Sequence, residues 1–351
     1  MNYINNNDSI EIYHNRVSDN IDIFSADCTV SSSDAEKLVN IIESRGLKDN
    51  NKNGYVIFDT CAVTESAHKK CKSLAQKIYK KYYNRQLIFT GCGVSYEKEF
   101  YNSLGMTINN QEKAKFFACN EHLGKDIILL NKQKDFGIVK IEDGCYNNCA
   151  YCIVHKIRPH YQVPYEDIKN NIKALINNGK KNIILAGTEI TSYCYMDLNL
   201  VLLCKKILND FPEIEHLKID PIDPAPSIVV PLIEFIKQEK RMDKEIILCT
   251  QSCCDTILKN MRRRHTVKRL HELNELSDNI INFIYQIIIG FPGETDELFN
   301  ETLNNIKELK PVDIDLMVFS PRIGTDAYSM HGQIDEYTIL KRKNILQDLY
   351  R

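Results

Sequence analysis

The chain has 351 residues, with 45 Lys plus Arg against 47 Asp plus Glu, a net charge of −2 and a mean hydropathy of −0.33. That balance excludes a wholesale basic nucleic-acid binder, and the lack of any run of about 18 apolar residues excludes a membrane-spanning helix. The first residues, MNYINNNDSIEIYHNR, carry no apolar signal core, so the chain is expected to stay in a reducing cytoplasm.

At roughly 150 residues per domain the length predicts two domains, placed at 1–125 and 134–351. In the first, strands are expected at Ile21–Ser25, Tyr55–Phe58 and Leu87–Thr90, with helices at Ser33–Arg45 and Glu65–Tyr82 and a shorter one after Ser95. This is a small open parallel α/β layer. A charged, Asn-containing stretch from about Gly124 to Asp135 reads as the connection. The second domain alternates more regularly. Strands are expected at Gly137–Ile141, Asn182–Ala186, Glu215–Ile219, Glu245–Cys249, Asn282–Ile289 and Asp313–Phe319. The helices between and after them are Pro164–Asn178, Leu198–Asn209, Ser227–Glu239, Asp255–Leu276, Thr295–Leu309 and Asp335–Leu349. Six βα units are too few for a closed eight-stranded barrel and predict a partial (βα)6 barrel.

Thirteen cysteines in a chain with no export signal make a disulfide framework improbable and turn attention to metal chemistry. The strongest pattern is Gly144-Cys145-Tyr-Asn-Asn-Cys149-Ala-Tyr151-Cys152, directly after the first barrel strand. Three thiolates on one loop can bind three irons of a [4Fe–4S] cube and leave the fourth open to a small molecule. A zinc site usually needs four ligands in paired spacings, which this run lacks. In the first domain, Cys28, Cys61 and Cys92 each stand just beyond a predicted strand, about one strand–helix period apart. Parallel strands share one C-terminal edge, so the three can converge there on a second metal centre. Cys71 and Cys119 do not share that phase.

The cluster motif resembles the radical S-adenosylmethionine (SAM) superfamily. The wider pattern is similar to its methylthiotransferase branch, with the threonylcarbamoyladenosine type most similar. The residues that carry this are Ala26-Asp27-Cys28, Asp59-Thr60-Cys61-Ala62-Val63-Thr64, Thr90-Gly91-Cys92-Gly93, Leu185-Ala186-Gly187-Thr188-Glu189-Ile190, Met261-Arg262-Arg263-Arg264-His265-Thr266, Gly290-Phe291-Pro292-Gly293-Glu294-Thr295 and Ser320-Pro321-Arg322-Ile323-Gly324-Thr325. The resemblance implies two [4Fe–4S] clusters, one on Cys145, Cys149 and Cys152 and an auxiliary one on Cys28, Cys61 and Cys92. It implies two SAM, one methylating a sulfur held by the auxiliary cluster and one at the open iron cleaved to a 5′-deoxyadenosyl radical, with Tyr151, Gly187, Thr188, Glu189, Arg158 and Gly290 near it. It also implies a reductive donor such as flavodoxin or ferredoxin, and methylthio insertion at C2 of N6-modified adenosine 37 of tRNA.

Other readings stay open beside these. Gly290 to Glu294 also reads as a tight turn with acidic residues in the following helix turn. Arg158 is a candidate partner for a carboxylate or a phosphate. Arg262 to His265 reads as structural or close to SAM rather than in contact with RNA. Cys249, Cys253 and Cys254 sit at the end of the fourth barrel strand and read mainly as incidental thiols. Several features depart from the family pattern. No small C-terminal RNA-binding barrel is expected before Arg351, Arg158-Pro159 stands where Arg-Gly is usual, Gln162-Val163 falls near a usual Ser-Arg pair, and Gln286 replaces a usual Asp. A peptide or protein side chain is therefore the alternative substrate, and a non-catalytic iron–sulfur protein the second alternative.

Overall fold

The computed structural model describes residues 12–18, 21–26, 28–44, 53–118 and 135–350. The expected connection at 124–135 lies outside the described residues except for Asp135, as does Cys119.

The N-terminal part is one sheet in the order β1 (Ile12–Ser18), β2 (Ile21–Ala26), β3 (Tyr55–Thr60), β4 (Gln86–Gly91) and β5 (Met106–Ile108). Strands β2 to β5 are parallel in register, and β1 pairs antiparallel to β2. Helices α1 (Thr29–Ser44), α2 (Glu65–Lys81), α3 (Cys92–Tyr96), α4 (Lys98–Asn102) and α5 (Asn110–Ala118) connect and cover it. The central strands are apolar on both faces: Ile23, Val56, Ile57, Phe58 and Phe89 are buried, as a sheet covered by helices requires. The sequence predicted β2 to β4, α1 and α2. It missed β1, an edge strand whose Tyr-His-Asn-Arg centre has no apolar alternation, and it missed β5, which has only three residues, and α5.

The larger part is the six-stranded partial barrel. Strands β6 (Phe136–Lys140), β9 (Asn182–Ala186) and β12 (His216–Ile219) form one parallel sheet, and β13 (Glu245–Gln251), β14 (Asn282–Ile289) and β15 (Asp313–Val318) the other. Two isolated bridges, Leu217 to Met242 and Ile222 to Leu248, stitch β12 to β13, so the six strands run in sequence order. Two-residue ribbons β7 (Glu142–Asp143) with β8 (Tyr161–Gln162), and β10 (Cys194–Tyr195) with β11 (Leu198–Asn199), trim its rim. The outer helices are α6 (Val154–Ile157), α7 (Tyr165–Asn177), α8 (Leu200–Asp210), α9 (Val229–Gln238), α10 (Asp255–Asn260), α11 (Val267–Leu276), α12 (Asp296–Leu309) and α13 (Glu336–Leu349). The helix expected at Asp255–Leu276 is two. Arg262 takes a left-handed φ of 60°, and Thr266 restarts the helix by capping the Arg269 N–H. One apolar core fills the barrel, from Val139 and Ile141 to Ile287 and Leu346.

The Gly290 turn holds α13 in place. Glu294 is buried, accepts the Gly290 N–H at 2.8 Å and pairs with buried Arg342 of α13 at 3.0 Å, and Arg342 also reaches Asp296 at 2.8 Å. Removing one partner of a buried pair strands the other charge, at a cost of about 3–5 kcal/mol. Arg342→Ala is thus expected to lower the urea midpoint and the melting temperature clearly, whereas Ala at exposed Lys341 on the same helix leaves both nearly unchanged.

Candidate functional site

Both cysteine triads stand at the C-terminal ends of parallel strands. Cys28 follows β2, Cys61 follows β3 and Cys92 opens α3 directly after β4. The three lie close enough that Cys92 and Cys28 both add to the burial that pushes the Cys61 thiol well up. Gly91, just before Cys92, has φ of 93°, and a Cβ there would meet Asp59 Oδ1 at 2.2 Å and the Thr60 carbonyl at 2.5 Å. Only glycine lets the chain cross β3 this closely. Cys71 is buried in the core of this part and accepts the Cys61 N–H at 3.3 Å.

Cys145, Cys149 and Cys152 share the loop after β7. Gly144, with φ of 75°, lies against the backbone of Pro159 and His160, where a Cβ would come within 2.6 Å. Glu142 and Asp143 fasten this loop to the Gly187–Glu189 turn at the end of β9. The Glu189 N–H donates to Glu142, the Thr188 hydroxyl donates to Asp143 Oδ1 at 3.3 Å, and the Gly187 N–H donates to Asp220 Oδ2 at 3.2 Å. Tyr151 is half-buried against the apolar cluster of Ala150, Phe291 and Phe319. The predicted residues Tyr151, Gly187, Thr188 and Glu189 thus gather around the three-cysteine loop. Gly290 packs against Ile339 of α13 instead, its N–H taken by Glu294.

All six sulfurs accept N–H hydrogen bonds. Ser31 N donates to Cys28 at 3.2 Å, Val63 N to Cys61 at 3.5 Å and Asn147 N to Cys145 at 3.2 Å. The backbone N–H groups of Val154 and His155 serve Cys152. The other two sulfurs receive arginine. Arg158 Nε donates to Cys92 at 3.1 Å, and Arg263 Nη1 to Cys149 at 3.4 Å. Each arginine is buried and anchored by a buried aspartate: Arg158 by Asp143 at 2.7 Å, Arg263 by Asp223 at 3.1 Å. These donors favour thiolate over thiol, which suits anionic iron–sulfur ligands. Burial pushes the Cys145 thiol up to about 12 and Cys152 to about 11, so loading with iron releases protons. Among the described residues no three His, Cys, Asp or Glu side chains close tightly enough to share a single metal ion. A cube does not ask for that, since each thiolate bonds a different iron.

Arg158 is therefore neither a surface ion pair nor a rim residue. It lies in a buried charge network of Asp34, Lys113, Lys140 and Asp143, with Lys113 at 2.8 Å from Asp34 and Lys140 at 3.0 Å from Asp143. The arginine run splits by role: Arg262 is exposed and pairs with Asp326 at 2.5 Å, Arg263 is turned inward, and His265 is buried against the Thr250 carbonyl. Cys253 and Cys254 are core residues, while Cys249 donates to Gln286 Oε1 at 3.1 Å, and Gln286 in turn donates to Asp315 at 2.9 Å. Sequence reasoning missed Glu142, Asp143 and Asp223. Glu142 and Asp143 stand directly before the cysteine loop, and that adjacency was the available signal. A cavity of about 620 Å³ lies between Cys28, Cys61 and the first turn of α2 on one side and β15 with Phe319 to Pro321 on the other.

The comparisons with known proteins agree with this architecture. Residues 139–306 match the Radical SAM superfamily and residues 20–112 match an uncharacterized protein family, UPF0004. A solved radical SAM methyltransferase, TsrM from Kitasatospora setae, superposes with a TM-score of 0.62 at 10% identity, covering 81% of this chain and 69% of that one. The barrel and its cysteine loop thus define a radical SAM protein, a class that uses a [4Fe–4S] cluster and SAM. Beyond the class, the chain belongs to the radical SAM methylthiotransferase family, enzymes of the sulfur-inserting transferase type. It is 30% identical to the tRNA-2-methylthio-N(6)-dimethylallyladenosine synthase of Clostridium tetani, over 88% of this chain and 76% of the relative. It is 29% identical to the threonylcarbamoyladenosine tRNA methylthiotransferase MtaB of Chlamydia pneumoniae, over 84% and 72%. It is 27% identical to the ribosomal protein uS12 methylthiotransferase RimO of a Thermoanaerobacter species, over 95% and 83%. Among the described residues no helix is long and apolar enough to cross a membrane.

Burial pushes the Glu142 carboxyl up from 4.5 to about 8 and leaves its Oε2 without a hydrogen-bond partner. Unfolded, this group ionises near its ordinary value; folded, it keeps its proton to about pH 8. Its contribution to stability therefore falls as pH rises through that window, by up to about 1.4 kcal/mol per pH unit. In thermal melts of the iron-free protein between about pH 5 and pH 8, Glu142→Gln is expected to flatten the decline seen in wild type.

Proposed function

We propose that this enzyme inserts a methylthio group at C2 of the N6-modified adenosine beside the tRNA anticodon, using two [4Fe–4S] clusters. Residues 134–351 form the radical SAM domain, with its cluster on Cys145, Cys149 and Cys152. Residues 1–125 form the auxiliary domain, with its cluster on Cys28, Cys61 and Cys92. The observation that carries this reading is the pairing of two cysteine triads at strand ends, each with a buried arginine on one sulfur.

A cluster held by Cys145, Cys149 and Cys152 would, with SAM, supply a 5′-deoxyadenosyl radical to take the substrate hydrogen, while a second SAM would give its methyl group to a sulfur carried by the auxiliary cluster. The chain's own groups place the reactants. Glu189, beside Arg264, and the Thr188 hydroxyl offer polar anchors for SAM, with Tyr151 bounding the loop. The cavity against Cys28 and Cys61 receives the substrate. Its size falls within the range of about 300–1,000 Å³ of small-molecule sites. Its walls of Val63, Leu316, Met317 and Phe319 suit a flat heterocycle splayed out of a single-stranded loop. A low-potential donor such as flavodoxin or ferredoxin supplies the electron. The tRNA-acting relatives in two substrate types support tRNA over protein. The relative acting on uS12, which aligns with 95% of this chain, makes a protein side chain the second reading.

After anaerobic reconstitution, iron is expected at about eight per chain, dropping to about four in Cys28→Ala/Cys61→Ala/Cys92→Ala. With SAM, dithionite and unmodified bulk tRNA, nucleoside mass spectrometry is expected to show an adenosine derivative gaining CH2S. A gain found only in a ribosomal-protein digest would give the protein reading. No 5′-deoxyadenosine with any substrate would leave an iron–sulfur protein without this activity.

A further inference from the structure

Arg158 donates to a sulfur of the N-terminal triad and, through Asp143, is linked to the loop that carries the barrel triad. Its Nε–H donates to Cys92 Sγ at 3.1 Å, and its Nη1 donates to both oxygens of Asp143, at 2.7 and 2.8 Å. Asp143 Oδ1 takes the N–H of Gly144 at 2.8 Å, and Gly144 is bonded to Cys145. Three noncovalent links therefore join a sulfur of the N-terminal triad to the backbone of the barrel triad. The guanidinium is planar, so its Nε–H and Nη1–H directions are fixed relative to each other. A lysine ammonium on a flexible stem would satisfy one end of this bridge and not hold both.

The surroundings hold the bridge rigid and dry. Arg158 is 7% exposed, and Asp143, Asp34, Lys113 and Lys140 around it are buried to the same degree or more. Lys140 and Lys113 close on Asp34 from two sides, so the aspartate facing Arg158 at 3.8 Å is already paired, and Arg158 is committed to Asp143 and Cys92. A second, longer contact to the Cys92 sulfur comes from Asn110 Nδ2 at 3.7 Å.

We propose that Arg158 is a positioning residue that locks the auxiliary site to the radical SAM loop and holds the auxiliary cluster at a raised reduction potential. The inference rests on the two-cluster reading above. Its physical basis is that N–H donors and positive charge at a cluster sulfur stabilise the added electron, and the effect is large where water is excluded. In this role Arg158 acts through Cys92 and Asp143, not on the substrate.

The test uses the full-length chain with Cys145→Ala, Cys149→Ala and Cys152→Ala, so that only the auxiliary site loads iron. Arg158→Lys and Arg158→Gln are compared in that background. Circular dichroism and iron content report fold and loading, and dithionite titration followed by electron paramagnetic resonance reports the midpoint potential. Arg158→Lys keeps the buried charge but cannot hold the sulfur and Asp143 in the fixed geometry of the guanidinium. It is expected to hold about four irons with its midpoint shifted to more negative potential, and Arg158→Gln is expected to shift further. Folded Arg158→Lys protein that loses its iron would equally mark the arginine as what positions Cys92. A residue that merely supports the fold would lower the melting temperature of both variants and leave the midpoint where it was, and that result overturns the proposal. A background protein that takes up no iron overturns the two-cluster reading itself, and the Arg158 variants are then not needed to tell the two failures apart.

Discussion

The Asp143–Arg158 pair is the contact on which the site's arrangement depends. Taking two charges out of water costs several kcal/mol each, and the pair is tolerable only because nearly every lone pair and N–H around it is used. Asp143 is held well below the usual carboxylate range, with Arg158 and Lys140 the largest influences opposing its burial. That demand for partners draws in Thr188 from the β9 turn, Gly144 from the cysteine loop, and the Asp34 network from α1. A hydrophobic contact at the same place would be easier to bury but would fix no direction. Here each partner has one geometry that satisfies it, so the loop, the turn and the neighbouring sheet have one relative placement.

The remaining contacts across the same boundary follow this pattern of short polar links carried by long sequence separations. Thr29 at the start of α1 donates to Asp220 at the end of β12, at 2.6 Å. Ser320 caps the N–H of Glu65 at 2.8 Å, and Arg322 pairs with Glu65 at 2.5 Å while stacking on the Tyr96 ring. The segment after β15 therefore docks on α2, beside the cavity that touches Cys28 and Cys61. Polar specificity sets the orientation, and the apolar lining between the contacts leaves room for a ligand.

Much of this was legible in the sequence because it is written in local pattern. The barrel strands are short apolar runs between turn residues, and the cysteine loop is a spacing motif. The strand-end phase of Cys28, Cys61 and Cys92 follows from the βα period. What escaped has a common cause. Strand β1 pairs at an edge where none of its residues is fully buried, so no apolar alternation marks it. The break between α10 and α11 depends on one left-handed residue, Arg262, and nothing in Met-Arg-Arg-Arg announces it. Arg158 read as a generic cation because its partners, Asp34, Asp143 and Cys92, are assembled by the fold. Charge networks of that kind carry no period. The Arg262 to His265 run shows the same limit: four polar residues in a row serve two faces, and only the turn of the backbone assigns Arg263 inward.

The buried network also sets an order of events during synthesis. Asp34 and Lys113 leave the ribosome before Lys140, Asp143 and Arg158, so the N-terminal sheet forms with an aspartate awaiting most of its counter-charge. The charge network around Asp34 is completed only after the first barrel strand and the loop behind it have been made and have folded back. Contacts between residues so distant in sequence form late and slowly. Until they form, Cys92 lacks its arginine donor. A chain interrupted between the two sheets would thus present Cys92 without the Arg158 contact that faces it in the folded protein.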